Sequence, residues 1–130
     1  MANPNIVSVS SINGESVGFN LTATTTTALM TVSSDKLVKI NRIVCANVDG
    51  TNAADVTVSV TKSNFTSAGI TNFDTSGTFF IAKAISVPAN ASLVLLDTPI
   101  YLMESDVLKG GASAASDLDL IVSYEVIDDA

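Results

Sequence analysis

Apolar and polar residues alternate with a period of two along much of this chain. The clearest run is 118–127, where Leu118, Leu120, Val122, Tyr124 and Val126 interleave with Asp119, Ile121, Ser123, Glu125 and Ile127. Successive side chains of a strand point to opposite faces, so this pattern predicts a β-strand with one apolar face. The second face carries Ile121 and Ile127 and is too apolar for a simple solvent face. Cover by an arm or a neighbouring subunit is expected there. Residues 37–48 predict another long strand. Val38, Ile40, Val44, Ala46 and Val48 share one face, interrupted by Arg42, and Leu37, Ile43 and Cys45 share the other. Apolar residues on both faces predict partial cover on each side. After Asp49-Gly50-Thr51-Asn52, residues 55–62 place Val56, Val58 and Val60 on one face and Thr57, Ser59 and Thr61 on the other. The short polar loop predicts that these two strands are antiparallel neighbours.

The remaining segments complete an all-β pattern. Residues 6–11 and 15–23 flank Asn13-Gly14, a pair that tolerates positive φ and predicts a hairpin turn. Thr24 to Thr27 are β-branched and favour extended chain, either as a connecting arm or as the start of a strand at 28–32. Residues 63–77 are polar and aperiodic. They predict a surface loop pinned by Phe65, Ile70 and Phe73, the kind of segment that often carries binding specificity. A strand at 78–87, bulged near Phe79-Phe80-Ile81 and stopped by Pro88, is followed by short strands at 93–96, 100–102 and 107–109 and a small-residue loop at 109–116. No stretch has helical period. The fold class predicted is a single-domain antiparallel β-sandwich, jelly-roll or immunoglobulin-like, of roughly eight to ten strands. Residues 1–34 are expected as an N-terminal hairpin or arm and 35–130 as the core sandwich.

Composition narrows the partners. The length of 130 residues suits one domain with a core. Charged residues make up 15% of the chain, against about 25% in ordinary domains. A surface rich in Ser, Thr and Asn is easily dehydrated, which fits a chain standing in an assembly as well as it fits an ordinary Thr-rich β-protein. A net charge of −7 repels phosphate backbones and argues against a nucleic-acid partner. On a regular strand, the basic residues Lys36 and Arg42 share a face that Lys39 does not. The lone Cys45 lies in an apolar run, reads as a core thiol, and fits synthesis in a reducing cytoplasm. The first residues lack a signal-peptide pattern, and no apolar run reaches membrane-spanning length, so no membrane partner is expected.

Candidate chemistry is sparse. The sequence has no histidine, which removes Ser-His-Asp and Cys-His arrangements and, with one cysteine, a tetrahedral zinc site. It has no tryptophan to serve as a sugar-stacking platform; Tyr101 and the loop residues Asn64 and Asn72 are the remaining candidates for glycan contact. A glycosidase needs two carboxylates across a cleft, and the spacing of Glu15, Glu104, Glu125 and the aspartates selects no pair. Asp49, Asn52 and Asp55, and Asp117 with Asp119, are oxygen clusters of the kind calcium uses. They lack the EF-hand pattern and read as turn formers. Gly110-Gly111 is followed by no Lys-Ser/Thr and is not a phosphate loop. No catalytic, cofactor-binding or metal-ligating residue is assigned, no cofactor is expected, and the chain reads as a non-enzyme.

Several segments in order carry a resemblance. The run Leu37-Val38-Lys39-Ile40-Asn41-Arg42-Ile43-Val44-Cys45-Ala46-Asn47-Val48-Asp49-Gly50 is followed by Val56-Thr57-Val58-Ser59-Val60. Later come Ile85-Ser86-Val87-Pro88-Ala89-Asn90, Ile100-Tyr101-Leu102-Met103-Glu104-Ser105-Asp106 and Ile121-Val122-Ser123-Tyr124-Glu125-Val126-Ile127. This order resembles small virion structural proteins of tailed bacteriophages, particularly those of marine cyanobacterial phages. It covers the chain from Leu37 onward and leaves the first 34 residues outside. Where the pattern has a glycine before Asp106, this chain has Ser105. The resemblance implies a non-enzymatic β-sandwich of the virion, made in the host cytoplasm. As a capsid decoration (cement) protein it would bridge major capsid subunits through residues 2–27 and the loop 63–77, as a trimer or dimer. A neck, tail or fibre-associated protein and a carbohydrate-binding module for host adsorption are the alternatives.

Overall fold

A computed structural model describes residues 9–67 and 69–128. Among these residues nine strands follow one another: β1 (Ser11–Asn20), β2 (Thr27–Thr31), β3 (Lys36–Asn47), β4 (Ala54–Lys62), β5 (Gly77–Val87), β6 (Ser92–Leu96), β7 (Ile100–Leu102), β8 (Val107–Ala112) and β9 (Leu118–Asp128). They form two antiparallel sheets. The first, sheet A, has the order β1-β9-β3-β6, with β7 also paired to β3; the second, sheet B, has the order β2-β8-β4-β5. β6 and β7 are two pieces of one edge, because β6 pairs with Ile43–Ala46 of β3 and β7 with Val38–Ile40. Apart from β4–β5 and β6–β7, every connection crosses from one sheet to the other. That interleaving is the jelly roll, one of the two sandwich types expected.

The alternating runs supply the core. Ile40, Ile43 and Cys45 of β3, Val56 and Val58 of β4, Leu108 of β8, and Leu118, Leu120 and Val122 of β9 are fully buried between the sheets. Tyr124 and Val126 pack against the same cluster, so the face of β9 expected inside is inside. Its other face splits. Ile127 is buried opposite Leu37, whereas Ile121 is 55% exposed.

Several expectations are corrected. Asn13-Gly14 is not a hairpin turn. Both residues lie in mid-strand, opposite Val126 and Glu125 of β9. A turn there would need its flanks to pair with each other, and the long β9 offers ten successive partners instead. Residues 11–31 therefore belong to the two sheets rather than to a separate arm. Residues 6–8 of the expected first strand and 129–130 of the tail lie outside the described residues. β3 and β4 are not neighbours either: they sit in opposite sheets, and residues 48–53 cross between them. Packed sheets are only about 10 Å apart, so a short loop bridges them as readily as it closes a hairpin. β8 extends through Gly110, Gly111 and Ala112, where a loop was expected. A Cβ on Gly111 would lie 2.9 Å from the Thr25 carbonyl oxygen, so the crossing strap at 22–26 requires glycine beneath it.

Buried polar groups lock two connections. Asn47 is 4% exposed; its amide donates to the Asn52 and Val87 carbonyls, and its Oδ1 accepts from Asp49 N–H. Asp106 is fully buried. Its carboxylate accepts from the Ser63 and Met103 N–H groups at 2.9 and 2.8 Å and pairs with the Lys62 ammonium. Its backbone carbonyl accepts from Val32 N–H. Ser105, where the resemblance has glycine, adopts φ +69°, the left-handed conformation that glycine occupies most easily.

Candidate functional site

The register assigns the outer face of sheet A row by row. Ile12, Ile127 and Leu37 form the first row, and Gly14, Glu125, Lys39 and Tyr101 the second. Ser16, Ser123 and Arg42 follow. Gly18, Ile121, Val44 and Val94 form a row that crosses all four strands, and Asn20, Asp119, Ala46 and Ser92 close the face. The Gly18 row is apolar throughout, with Ile121 and Val94 55% and 42% exposed. Arg42 and Lys39 point out together because a register shift at Asn41 adds a residue to β3. Lys36 is left on the opposite face, where it pairs with Asp128 at 2.5 Å. The expected pairing of faces, Lys36 with Arg42, is thereby reversed, since a bulge shifts the alternation by one.

Exposed apolar side chains also line the β5 edge of sheet B, Phe80 on its outer face with Ser59, and Phe79 and Ile85 on the face of Val60 and Val56. Phe80 lies opposite Ser59, and the Lys83 ammonium sits 5.0 Å from the Phe80 ring centroid. The Ser59 hydroxyl is buried and has no hydrogen-bond partner among the described residues. The loop between β4 and β5 begins beside it. Phe65 stacks obliquely on Phe73 at 5.5 Å and receives Lys62 at 5.2 Å. Ile70 does not pin the loop as expected; it is 64% exposed.

The remaining candidates are dispersed. Glu15 accepts from the Tyr124 hydroxyl at 2.5 Å, Glu104 accepts from Asp35 N–H, and Glu125 lies on the outer face of sheet A. The hydrogen bond to Glu15 raises the Tyr124 pKa, because losing the phenol proton would place two anionic oxygens together. Asp49 accepts from Thr51 N–H and the Asn52 amide, and these bonds, Thr51 first, hold its carboxyl below the usual range. Asp55 lies in β4, where its main chain bonds Ser113, and Asp119 accepts from Asn20 at 2.6 Å. Tyr101 stands on the outer face of sheet A, while Asn64 and Asn72 belong to the loop leaving sheet B, where Asn64 accepts from Thr75. Burial, with a smaller contribution from Asp119, pushes the Cys45 thiol up to about 11. A cleft of about 260 Å³ opens between the sheets at Met30, Val32, Lys36, Val38, Tyr124 and Val126. Its one charge, Lys36, is taken up by Asp128.

The apolar row through Ile121 was partly visible in the sequence. Val44, Val94 and Gly18 join it only through pairing partners that periodicity does not name.

No protein-family model matches this sequence, and no curated protein is similar to it. A solved structure described as "Bacillus endospore appendages form a novel family of disulfide-linked pili" aligns over 92% of this chain and 88% of that one, with a TM-score of 0.45 and 13% identity.

Proposed function

We propose that this chain is a non-enzymatic virion structural protein of a tailed bacteriophage, a capsid decoration protein that bridges major capsid subunits. The observation carrying this reading is the amount of apolar side chain left outside the core: Ile121 and Val94 on one sheet, Phe79, Phe80 and Ile85 on the other. Contiguous exposed apolar patches mark interaction surfaces more often than scattered single residues do. The mechanism is mechanical: each copy covers apolar area at a junction between shell subunits, so rupture of the shell must re-expose it. The stabilisation rises with occupancy, as for any ligand of the native state. The sequence resemblance and the jelly roll, a fold used by capsid and lectin domains, support the same class without fixing it.

The test is co-sedimentation of purified protein with empty phage heads, followed by copy counting per particle by quantitative mass spectrometry. Binding at capsid-wide copy number, weakened by Ile121→Asp or Phe80→Asp, is expected. Ring- or fibre-like copy number would move the chain to the neck, tail or fibre. Failure to bind heads, with selective binding on a glycan array, would replace the proposal by host-surface recognition through Tyr101 or the loop bearing Asn64 and Asn72.

A further inference from the structure

We propose that the open edge of β1 pairs with β1 of a second copy, antiparallel across a two-fold axis at Ser16, joining two copies of sheet A into one continuous sheet. This inference goes beyond the capsid reading and does not depend on it.

β1 runs against β9 for ten residues without a register shift. Leu21 N–H donates to Leu118 O at 2.9 Å, which sets the phase of the ladder. Hydrogen-bonded and non-hydrogen-bonded pairs alternate in an antiparallel ladder, so the odd-numbered residues of β1 turn their backbone groups toward β9. The N–H and C=O groups of Ile12, Gly14, Ser16, Gly18 and Asn20 therefore point off the edge, where no strand lies among the described residues. All five residues are exposed.

Free edges are normally blunted by brevity, bulges, proline or lysine. The other edges of this molecule use such devices. β2 is five residues long with a register shift, β5 has two shifts and carries Lys83, and the β6/β7 edge is broken in two. β1 has none of them. Its single charge, Glu15, accepts a hydrogen bond from Tyr124.

The glycines of β1 are unexplained inside the protomer. A Cβ at Gly14 would meet nothing within 4 Å, and one at Gly18 only the Leu120 carbonyl oxygen at 3.9 Å. Neither has a positive φ. Glycine in a strand interior weakens it, and where it stands it often marks the close approach of another backbone.

The order of these residues selects a second copy as the occupant. Gly14, Ser16 and Gly18 are symmetric about Ser16. An antiparallel two-fold there sets Ser16 against the second copy's Ser16, Gly14 against its Gly18, and Ile12 against its Asn20. Five such pairs exchanging two bonds each supply roughly the ten direct hydrogen bonds of a typical protein interface. Glu15 falls opposite the second copy's Val17, so the two carboxylates do not face each other. A two-fold dimer is also the commonest closed assembly.

The experiment uses the full chain in sedimentation velocity and native mass spectrometry. A dimer is expected for the wild type. Ser16→Pro removes an N–H that points off the edge, a place where strands tolerate proline, and with it one exposed side-chain hydrogen bond, Ser16 Oγ to Ser123 Oγ at 3.1 Å; it is expected to give folded monomer and raise the dissociation constant about 100-fold or more. Cysteine cross-linking in a Cys45→Ala background supplies an independent arm. Hydrogen-bonded pairs have Cα atoms about 5.5 Å apart, within disulfide reach, so Ser16→Cys is expected to cross-link on oxidation and Ser11→Cys is not. A wild type that stays monomeric at about 100 μM overturns the proposal. So does a dimer unaffected by a folded Ser16→Pro variant. If Ser16→Pro does not fold, equal cross-linking at positions 11 and 16 overturns it.

Discussion

Replacing Asp106 by alanine tests how the two sheets are tied together at one end. The Asp106 carboxylate is completely buried and bonds three groups: the Lys62 ammonium and the Ser63 and Met103 N–H groups. Lys62 has a side chain only 17% exposed, so its charge cannot simply return to water without moving the end of β4. Removing one member of a buried ion pair costs about 3–5 kcal/mol, because the remaining charge stays desolvated. Two backbone donors are orphaned as well, at about 1–3 kcal/mol each if they remain buried. These costs overlap, since the loop can open to hydrate all three groups at once, and we expect a total of about 4–6 kcal/mol for Asp106→Ala. That is a large share of the roughly 5–15 kcal/mol that holds a domain folded. Urea unfolding followed by far-UV circular dichroism, at fixed protein concentration, measures it. Lys62→Met leaves the carboxylate its two N–H donors and should cost less. The double variant should be less destabilised than the sum of the two by about 1–3 kcal/mol. A loss below about 1 kcal/mol for Asp106→Ala, or strict additivity in the cycle, would refute this account of the junction.

Cys45 should resist thiol reagents in the native state and react fully in denaturant, as followed with a chromogenic disulfide. Its folded pKa of about 11 lies above the unfolded value of 9.0, so the unfolded chain loses this proton first. The associated stability is intact below pH 9 and falls by on the order of 2 kcal/mol as pH rises toward 11. Cys45→Ala should flatten that slope in pH-dependent melts; the raised Tyr124 group adds a further decline that remains. Gly111→Ala should destabilise by about 1–3 kcal/mol in urea titrations, since its Cβ would press on Thr25 backbone. Gly110→Ala should cost less, because there the nearest atom is the movable end of Leu29. Ser105→Gly should raise stability by about 0.5–1 kcal/mol in the same titration, relief of the left-handed backbone being partly offset by a more flexible unfolded chain.

Individual strands were legible wherever alternation was regular. β9 and β3 were expected almost to their ends, because each carries a long apolar face that only one register can bury. Pairing was not legible. The loop 48–53 has the length and polarity of a hairpin loop and instead crosses between sheets, a choice made by β8 and β9 occupying the places beside β4 and β3. The extra residue at Asn41 shows in the hydrophobic pattern only as Arg42 interrupting an apolar face, yet it moves the inward positions from Val38 and Ile40 to Ile43 and Cys45 and decides which of Lys36 and Lys39 joins Arg42. Gly110-Gly111 looked like a loop because their reason, the Thr25 strap above Gly111 and Leu29 beside Gly110, is remote in sequence. Asp106 carries no local sign in the sequence that it is buried. Its burial depends on Lys62, more than forty residues away.

The strand order has a consequence for how the molecule comes into being. β9 lies between β1 and β3, and β8 lies between β2 and β4. The last two of these nine strands to be synthesised thus lie in the middle of the two sheets. Until they emerge, β1 and β2 have no strand to pair with, and β3 and β4 are each bare along one side. Neither sheet can close progressively behind the ribosome. Such non-local pairing folds slowly and leaves apolar strands exposed in the interval. Shortening β9 by a few residues should therefore remove the keystone of sheet A rather than trim its end, yielding insoluble chain instead of a slightly weaker fold.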